Sequence, residues 1–127
     1  MAEHDLKDLK VLLVEDVEDT RLFMRLELEQ HGFIVFEAAD GKTAVHTATR
    51  ERPDVILMDL SLPVMDGFAA ARLIRKNQTL KEVPIIAITA HHETDFRDGA
   101  RNSGFDAYVT KPIDMKWLKE LIHGLLI

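Results

Sequence analysis

The sequence predicts a doubly wound α/β fold, a (βα)5 sandwich of three layers in which a parallel sheet is covered by helices on both faces. Three observations carry that prediction. The runs VLLV at 11–14, VILM at 55–58 and IIAI at 85–88 are apolar throughout rather than alternating, as strands buried on both faces must be. Segments with apolar residues at helical spacing among charged ones separate them. The strand-helix unit recurs five times with no linker and no shift of composition, so one domain filling 1–127, with a core of about 10–125 and no output domain, is expected.

The first strand spans 10–14 and stops abruptly at Glu15 and Asp16. A first helix is expected at 19–31 from the spacing of Leu22, Phe23, Leu26 and Gln30, with Gly32 as its stop. Residues 33–37 read as extended, and Asp40 with Gly41 supplies the turn and cap for a helix through Ala44, Val45 and Ala48 that ends before Pro53. A third strand at 55–58 leads to Asp59. Asp66 caps a helix at 67–77 carried by Phe68, Ala71, Leu73 and Ile74. Val83 and Pro84 open a fourth strand at 85–89, and a polar helix at 94–102 is closed by Gly104. A fifth strand falls at 106–109, and Asp114 caps a last helix with the stripe Met115, Leu118, Ile122 and Leu125.

Composition narrows the function. The chain has 127 residues, 46% hydrophobic and 30% charged, which is the balance of a folded globular protein. Its 16 basic against 22 acidic side chains give a net charge of -6, a poor match to a nucleic-acid surface. Cysteine is absent, so there is no disulfide framework, no zinc-finger spacing and no thiol nucleophile, and a bound metal must sit on oxygen. MAEHDLKDLK has no signal core, and no apolar run approaches the roughly 18 residues of a membrane span; a cytoplasmic protein is expected.

Why VILMDLSLPVMDG should place a charge at the end of a buried strand follows from where such sheets bind ligands, outside the carboxyl ends of their strands. Strand one ends in Glu15 and Asp16, strand three in Asp59, strand four in Thr89 and strand five, two residues past its end, in Lys111. Acids crowded at one edge repel, and a hard divalent cation with oxygen ligands relieves them; magnesium is the natural candidate. A metal beside a free carboxylate, with a lysine and a hydroxyl aimed at the same point, suits phosphoryl transfer with Asp59 as nucleophile.

These residues resemble the receiver domain of two-component response regulators over roughly residues 10–125. The resemblance rests on VLLVED with Glu15 and Asp16, VILMDLSLPVMDG with Asp59, IIAITA with Thr89 and Ala90, and YVTKP with Tyr108, Lys111 and Pro112. It implies a flavodoxin-like sheet of order 2-1-3-4-5. It further implies that Asp59 takes a phosphoryl group from the phosphohistidine of a sensor kinase or a histidine phosphotransfer protein. Asp16, Asp59 and the Ser61 carbonyl would hold Mg2+, or Mn2+ as the alternative, with Glu15 acting through water. Lys111 and Thr89 would hold the phosphoryl oxygens, a cis bond before Pro112 would aim the lysine, and Ala90 would leave room for Thr89 to move. Thr89 and Tyr108 would form the switch, and Ser61 and His91 would tune the lifetime of the acyl phosphate. The output face would be the fourth helix, fifth strand and fifth helix, binding a downstream protein. Neither DNA nor membrane contact is implied, and a monomer or weak homodimer is expected. The chain would be no enzyme beyond its own phosphorylation and dephosphorylation at Asp59.

Other readings compete. A phosphatase of the haloacid-dehalogenase type also uses a strand-end aspartate and Mg2+, but wants a second acid where Ser61 stands. A flavin carrier wants a Ser/Thr/Gly-rich first loop, whereas EDVEDT repels phosphate. A receiver excised from a hybrid kinase would read much as this chain does. His91 and His92 are adjacent on a loop without a third ligand and read as solvated. No histidine sits in a phosphodonor setting. Trp117 reads as core or rim, with Leu125, Leu126 and Ile127 as a partner patch in the alternative.

Overall fold

The computed structural model describes residues 6–60, 62, 65–89 and 103–126. Ser61, Ala90, His91, His92, Ile127 and the helix expected at 94–102 lie outside the described residues. Five parallel strands form one sheet: β1 (Lys10–Val14), β2 (Ile34–Ala38), β3 (Val55–Asp59), β4 (Ile85–Thr89) and β5 (Ala107–Thr110). Their order is β2-β1-β3-β4-β5, the order the resemblance implied. The described helices are α1 (Glu18–Gln30), α2 (Gly41–Glu51), α3 (Gly67–Lys76) and a last helix, Met115–Leu126, with a short 3-10 turn at Gln78–Leu80.

Strand alternation sorts the core into two apolar layers. Leu12, Val14, Ile56, Met58, Ile85 and Ala87 face Ala44 and Ala48 of α2 and Ala70, Ala71 and Ile74 of α3. Val11, Leu13, Val55, Leu57, Ile86 and Ile88 face Met24 and Leu28 of α1 and Leu118 and Ile122 of the last helix. Each large aliphatic side chain taken out of water contributes about 1.5–3 kcal/mol, so the three central strands supply much of the hydrophobic stabilisation. Side-chain caps fix the helix starts: Thr43 N–H donates to Asp40 Oδ1 at 2.7 Å and Ala69 N–H to Asp66 Oδ1 at 2.8 Å. Lys116 N–H and Trp117 N–H donate to Asp114 Oδ1 at 2.9 and 3.2 Å.

Two helical faces differ from expectation. On α1 the inward residues are Met24 and Leu28, while Leu22, Phe23 and Leu26 are exposed. Residues two apart on a helix point about 200° apart, so Leu22/Leu26 and Met24/Leu28 are rival stripes on nearly opposite faces. The rotation is settled by polar partners, because Arg21 and Arg25 on α1 both pair with Glu37 of β2. On α3 Leu73 is exposed, and the inward stripe is Ala70, Ala71 and Ile74. β2 and β5 each begin one residue later than predicted. Phe33 N–H is taken by Leu28 O at the end of α1, and Asp106 serves as a junction rather than a strand residue. Trp117 is exposed, whereas Leu125 and Leu126 pack partly against the core.

That junction is built around Arg75. Its Nη1 donates to the carbonyls of Leu80, Lys81 and Val83 at 3.2, 3.1 and 2.6 Å. Its Nη2 donates to Gly104 O and Asp106 Oδ2, both at 2.7 Å. Asp106 Oδ2 also accepts from Ile85 N–H at 2.9 Å. One planar fork thereby ties the end of α3 to the starts of β4 and β5. No helix among the described residues is long and apolar enough to cross a membrane.

Candidate functional site

At the opposite end of the sheet the strands deliver their terminal side chains to one place. Glu15 follows β1 directly, and its N–H donates to Ala38 O at 3.0 Å, carrying the β1–β2 ladder one step further. Asp59 is the last residue of β3, paired in register with Ile88, so Thr89 lies one step beyond it on β4. Thr89 pairs with Thr110, and Lys111 N–H donates to Thr89 O at 3.0 Å, which continues β5 to the lysine. The Lys111–Pro112 peptide is cis.

The sequence-predicted residues Glu15, Asp16, Asp59 and Lys111 are brought together. Glu15 and Asp59 are buried and Asp16 is exposed, yet one oxygen from each lies within 4.8 Å of the others. Lys111 Nζ lies 2.8 Å from Glu15 Oε1 and donates to Asp59 Oδ2 at 3.0 Å. Thr89 is buried at the same edge, 4% exposed. Tyr108 lies further back on β5, opposite Ala87, half-buried against the α2–α3 layer. Ser61, Ala90 and His91, the remaining predicted site residues, fall outside the described residues.

The electrostatics reflect crowding. Burial, reinforced by the charge of Asp59, pushes the Glu15 carboxyl above its usual range against hydrogen bonds from Lys111 and Val17 N–H. Burial works against the Lys111 ammonium, but Glu15 and Asp59 together outweigh it and raise its pKa. Three carboxylates facing one ammonium leave the pocket negative. Glu15 Oε1 is buried and, apart from its ion pair with Lys111, lacks a well-directed hydrogen bond. An all-oxygen donor set with an under-satisfied buried carboxylate fits a hard divalent cation held by Glu15, Asp16 and Asp59.

Sequence reasoning missed two contributors. Arg21 Nη1 donates to the Glu15 carbonyl at 3.0 Å; a basic residue early in the helix after the acidic pair was its only signal. Gly67 begins α3 directly behind Asp59, where a Cβ would stand 2.6 Å from the Asp59 carbonyl oxygen. Its place after the Asp66 cap was legible, but the close approach was not.

Residues 11–123 match the family model of the response regulator receiver domain. The chain belongs to that family. This receiver is 36% identical over 118 residues to Protein PilH of Pseudomonas aeruginosa, covering 92% of this chain and 97% of that protein. It is 38% identical to response regulator ArlR of Staphylococcus saprophyticus, over 92% of this chain and 52% of that longer one. Among solved structures, the receiver domain of a sensor histidine kinase from Pseudomonas aeruginosa superposes with a TM-score of 0.87 at 36% identity, covering 94% and 98% of the two chains. That protein has magnesium coordinated in its active-site cleft. The chemotaxis response regulator CheY4 of Vibrio cholerae superposes with a TM-score of 0.86 at 29% identity, covering 94% of this receiver and 100% of that chain. The protein is thus a receiver domain of two-component signalling, with an acidic cluster that fits a phospho-acceptor site.

Proposed function

We propose that this receiver accepts a phosphoryl group on Asp59 from the phosphohistidine of a partner kinase or phosphotransfer protein, and that the modification controls binding of a downstream protein. The observation that carries the reading is the buried Asp59 carboxylate held by Lys111 beside Glu15 and Asp16. An Asp59 oxygen attacks phosphorus in line, the P–N bond to the donor histidine breaks, and the imidazole leaves with the bonding electrons and is protonated. Lys111, already paired with Asp59, follows the developing charge onto a phosphoryl oxygen, and the Thr89 hydroxyl donates to another. Glu15, Asp16 and Asp59 would hold Mg2+, or Mn2+ in its place, and the bound ion supplies charge neutralisation for the phosphoryl oxygens. The Ser61 carbonyl would complete the set. Loss of the phosphoryl group is attack by water at the same phosphorus with cleavage of the P–O bond to Asp59, which regenerates the carboxylate and releases inorganic phosphate, so the reaction stays on the protein's own Asp59.

Thr89 drawn toward the phosphoryl group, with Tyr108 turning inward behind it, shifts a pre-existing equilibrium of β5 and the last helix, the described part of the expected output face. Intact mass after incubation with a small-molecule phosphodonor tests the reading. A Mg2+-dependent gain of one phosphoryl group by the wild type and none by Asp59→Asn is expected. No gain under any condition would leave the fold standing and remove the phosphoacceptor role.

A further inference from the structure

The turn after β1 must hold Glu15 and Asp16 together although their like charges push it open. One cross-strand and one local bond restrain it: Glu15 N–H to Ala38 O on β2, and Val17 N–H to Glu15 Oε2 at 3.2 Å. Neither fixes the Glu15 carbonyl. That oxygen accepts from Arg21 Nη1 at 3.0 Å, while Nε of the same guanidinium donates to Glu37 Oε1 at 3.2 Å. The Glu15 carbonyl belongs to the peptide plane that also carries the Asp16 nitrogen, so holding it sets the direction in which Asp16 leaves the strand. Glu37 is itself fixed, because it pairs in register with Leu13 on β1 and reaches Arg25 Nη1 at 3.5 Å through its other oxygen. The Arg21 side chain is 19% exposed, too enclosed to be a freely moving surface charge.

We propose that Arg21 is a positioning residue for the metal-binding carboxylates: it locks the Glu15–Asp16 peptide, with Glu37 orienting the guanidinium and offsetting its charge. The inference rests on the reading of Glu15, Asp16 and Asp59 as metal ligands. Lysine would keep the charge of Arg21 but lacks the fork that spans a carbonyl and a carboxylate at once. Neutralising Glu37 would leave an uncompensated cation beside a cation site.

The test is Mg2+ titrated calorimetrically into the full chain: wild type, Arg21→Ala, Arg21→Lys, Glu37→Gln and, as control for the site itself, Asp16→Asn. Each is also melted in chelator. Groups that orient metal ligands are worth roughly 10–100-fold in affinity, and Arg21→Ala is expected to weaken Mg2+ binding about tenfold. Arg21→Lys and Glu37→Gln should each weaken it several-fold, and none of the three should lose phosphoryl acceptance at saturating Mg2+. A merely structural role would lower the melting temperature in chelator and leave the dissociation constant of the folded protein unchanged. Arg21→Ala binding within twofold of wild type, or more tightly as a purely repelling charge would require, overturns the proposal. Should Arg21→Ala fail to fold, Arg21→Lys and Glu37→Gln decide by the same criterion. If wild type does not bind Mg2+, or Asp16→Asn binds as wild type does, the metal-ligand reading falls and the positioning role with it. A defective Asp16→Asn beside unchanged Arg21 variants sinks the positioning role alone.

Discussion

The ammonium of Lys111 stands 2.8 Å from Glu15 Oε1, a buried oxygen, and reaches Asp59 Oδ2 at 3.0 Å. It is the counter-charge that lets two buried carboxylates share one pocket. Lys111→Met should therefore destabilise the metal-free protein by about 1–3 kcal/mol, below the cost of breaking a fully buried pair because the lysine is partly exposed. Urea denaturation with and without Mg2+ checks this, and the deficit should shrink when the ion is present.

Asp59→Asn acts in the opposite direction. The amide still accepts from Lys111, while one of three crowded negative charges is gone. The metal-free variant is expected to be more stable than wild type by about 1 kcal/mol. Mg2+ at a hundredfold over its dissociation constant should stabilise the wild type by about 2.7 kcal/mol by mass action and the variant by much less. Calorimetry showing Asp59→Asn melting lower than wild type in chelator would remove the crowded-carboxylate account.

The same pocket sets a pH dependence. Glu15 carries a raised folded pKa against an ordinary 4.5, so the folded state holds its proton more tightly than the unfolded one. Stability of the metal-free protein should rise as pH falls through the window just above 4.5, and decline as pH climbs back through it. Lys111 is raised from 10.5; its contribution is complete below that value and lost as pH rises through the folded pKa. Denaturation midpoints against pH should lose the acidic slope in Glu15→Gln and the alkaline one in Lys111→Met.

Gly67→Ala tests how closely α3 presses on Asp59. The new methyl would meet Asp59 O at 2.6 Å and the Leu60 Cα at 3.0 Å, both backbone atoms that cannot swing aside. A loss of about 1–3 kcal/mol is expected, as for overpacking in a tight interior. Mg2+ affinity should fall as well, because relief of the clash displaces Asp59.

What could be read in advance depended on how local the signal was. Val11 to Val14, Val55 to Met58 and Ile85 to Ile88 declared their burial on both faces through unbroken apolar runs, and Asp40, Asp66 and Asp114 declared helix starts through the chemistry of capping. The convergence of Glu15, Asp16, Asp59 and Lys111 followed from strand ends alone. The inward face of α1 did not, since Leu22/Leu26 and Met24/Leu28 satisfy the helical period equally and only the β2 partner Glu37 separates them. Arg75 was silent for the same reason, and Arg21 showed only as a basic residue early in the helix after the acidic pair. Their partners lie on other elements, and a guanidinium spanning two or three of them leaves no periodic trace.

Arg75 gives the molecule a mechanical polarity. β5 is built in like a cantilever at Asp106, where one guanidinium also grips Gly104, Val83 and the carbonyls before β4. Its other end carries Lys111, the point at which the acidic pocket pulls. A pull there is opposed by the contacts of Asp106 at the far end, so it loads the strand along its length. Tyr108 sits along that span, between the root and the load.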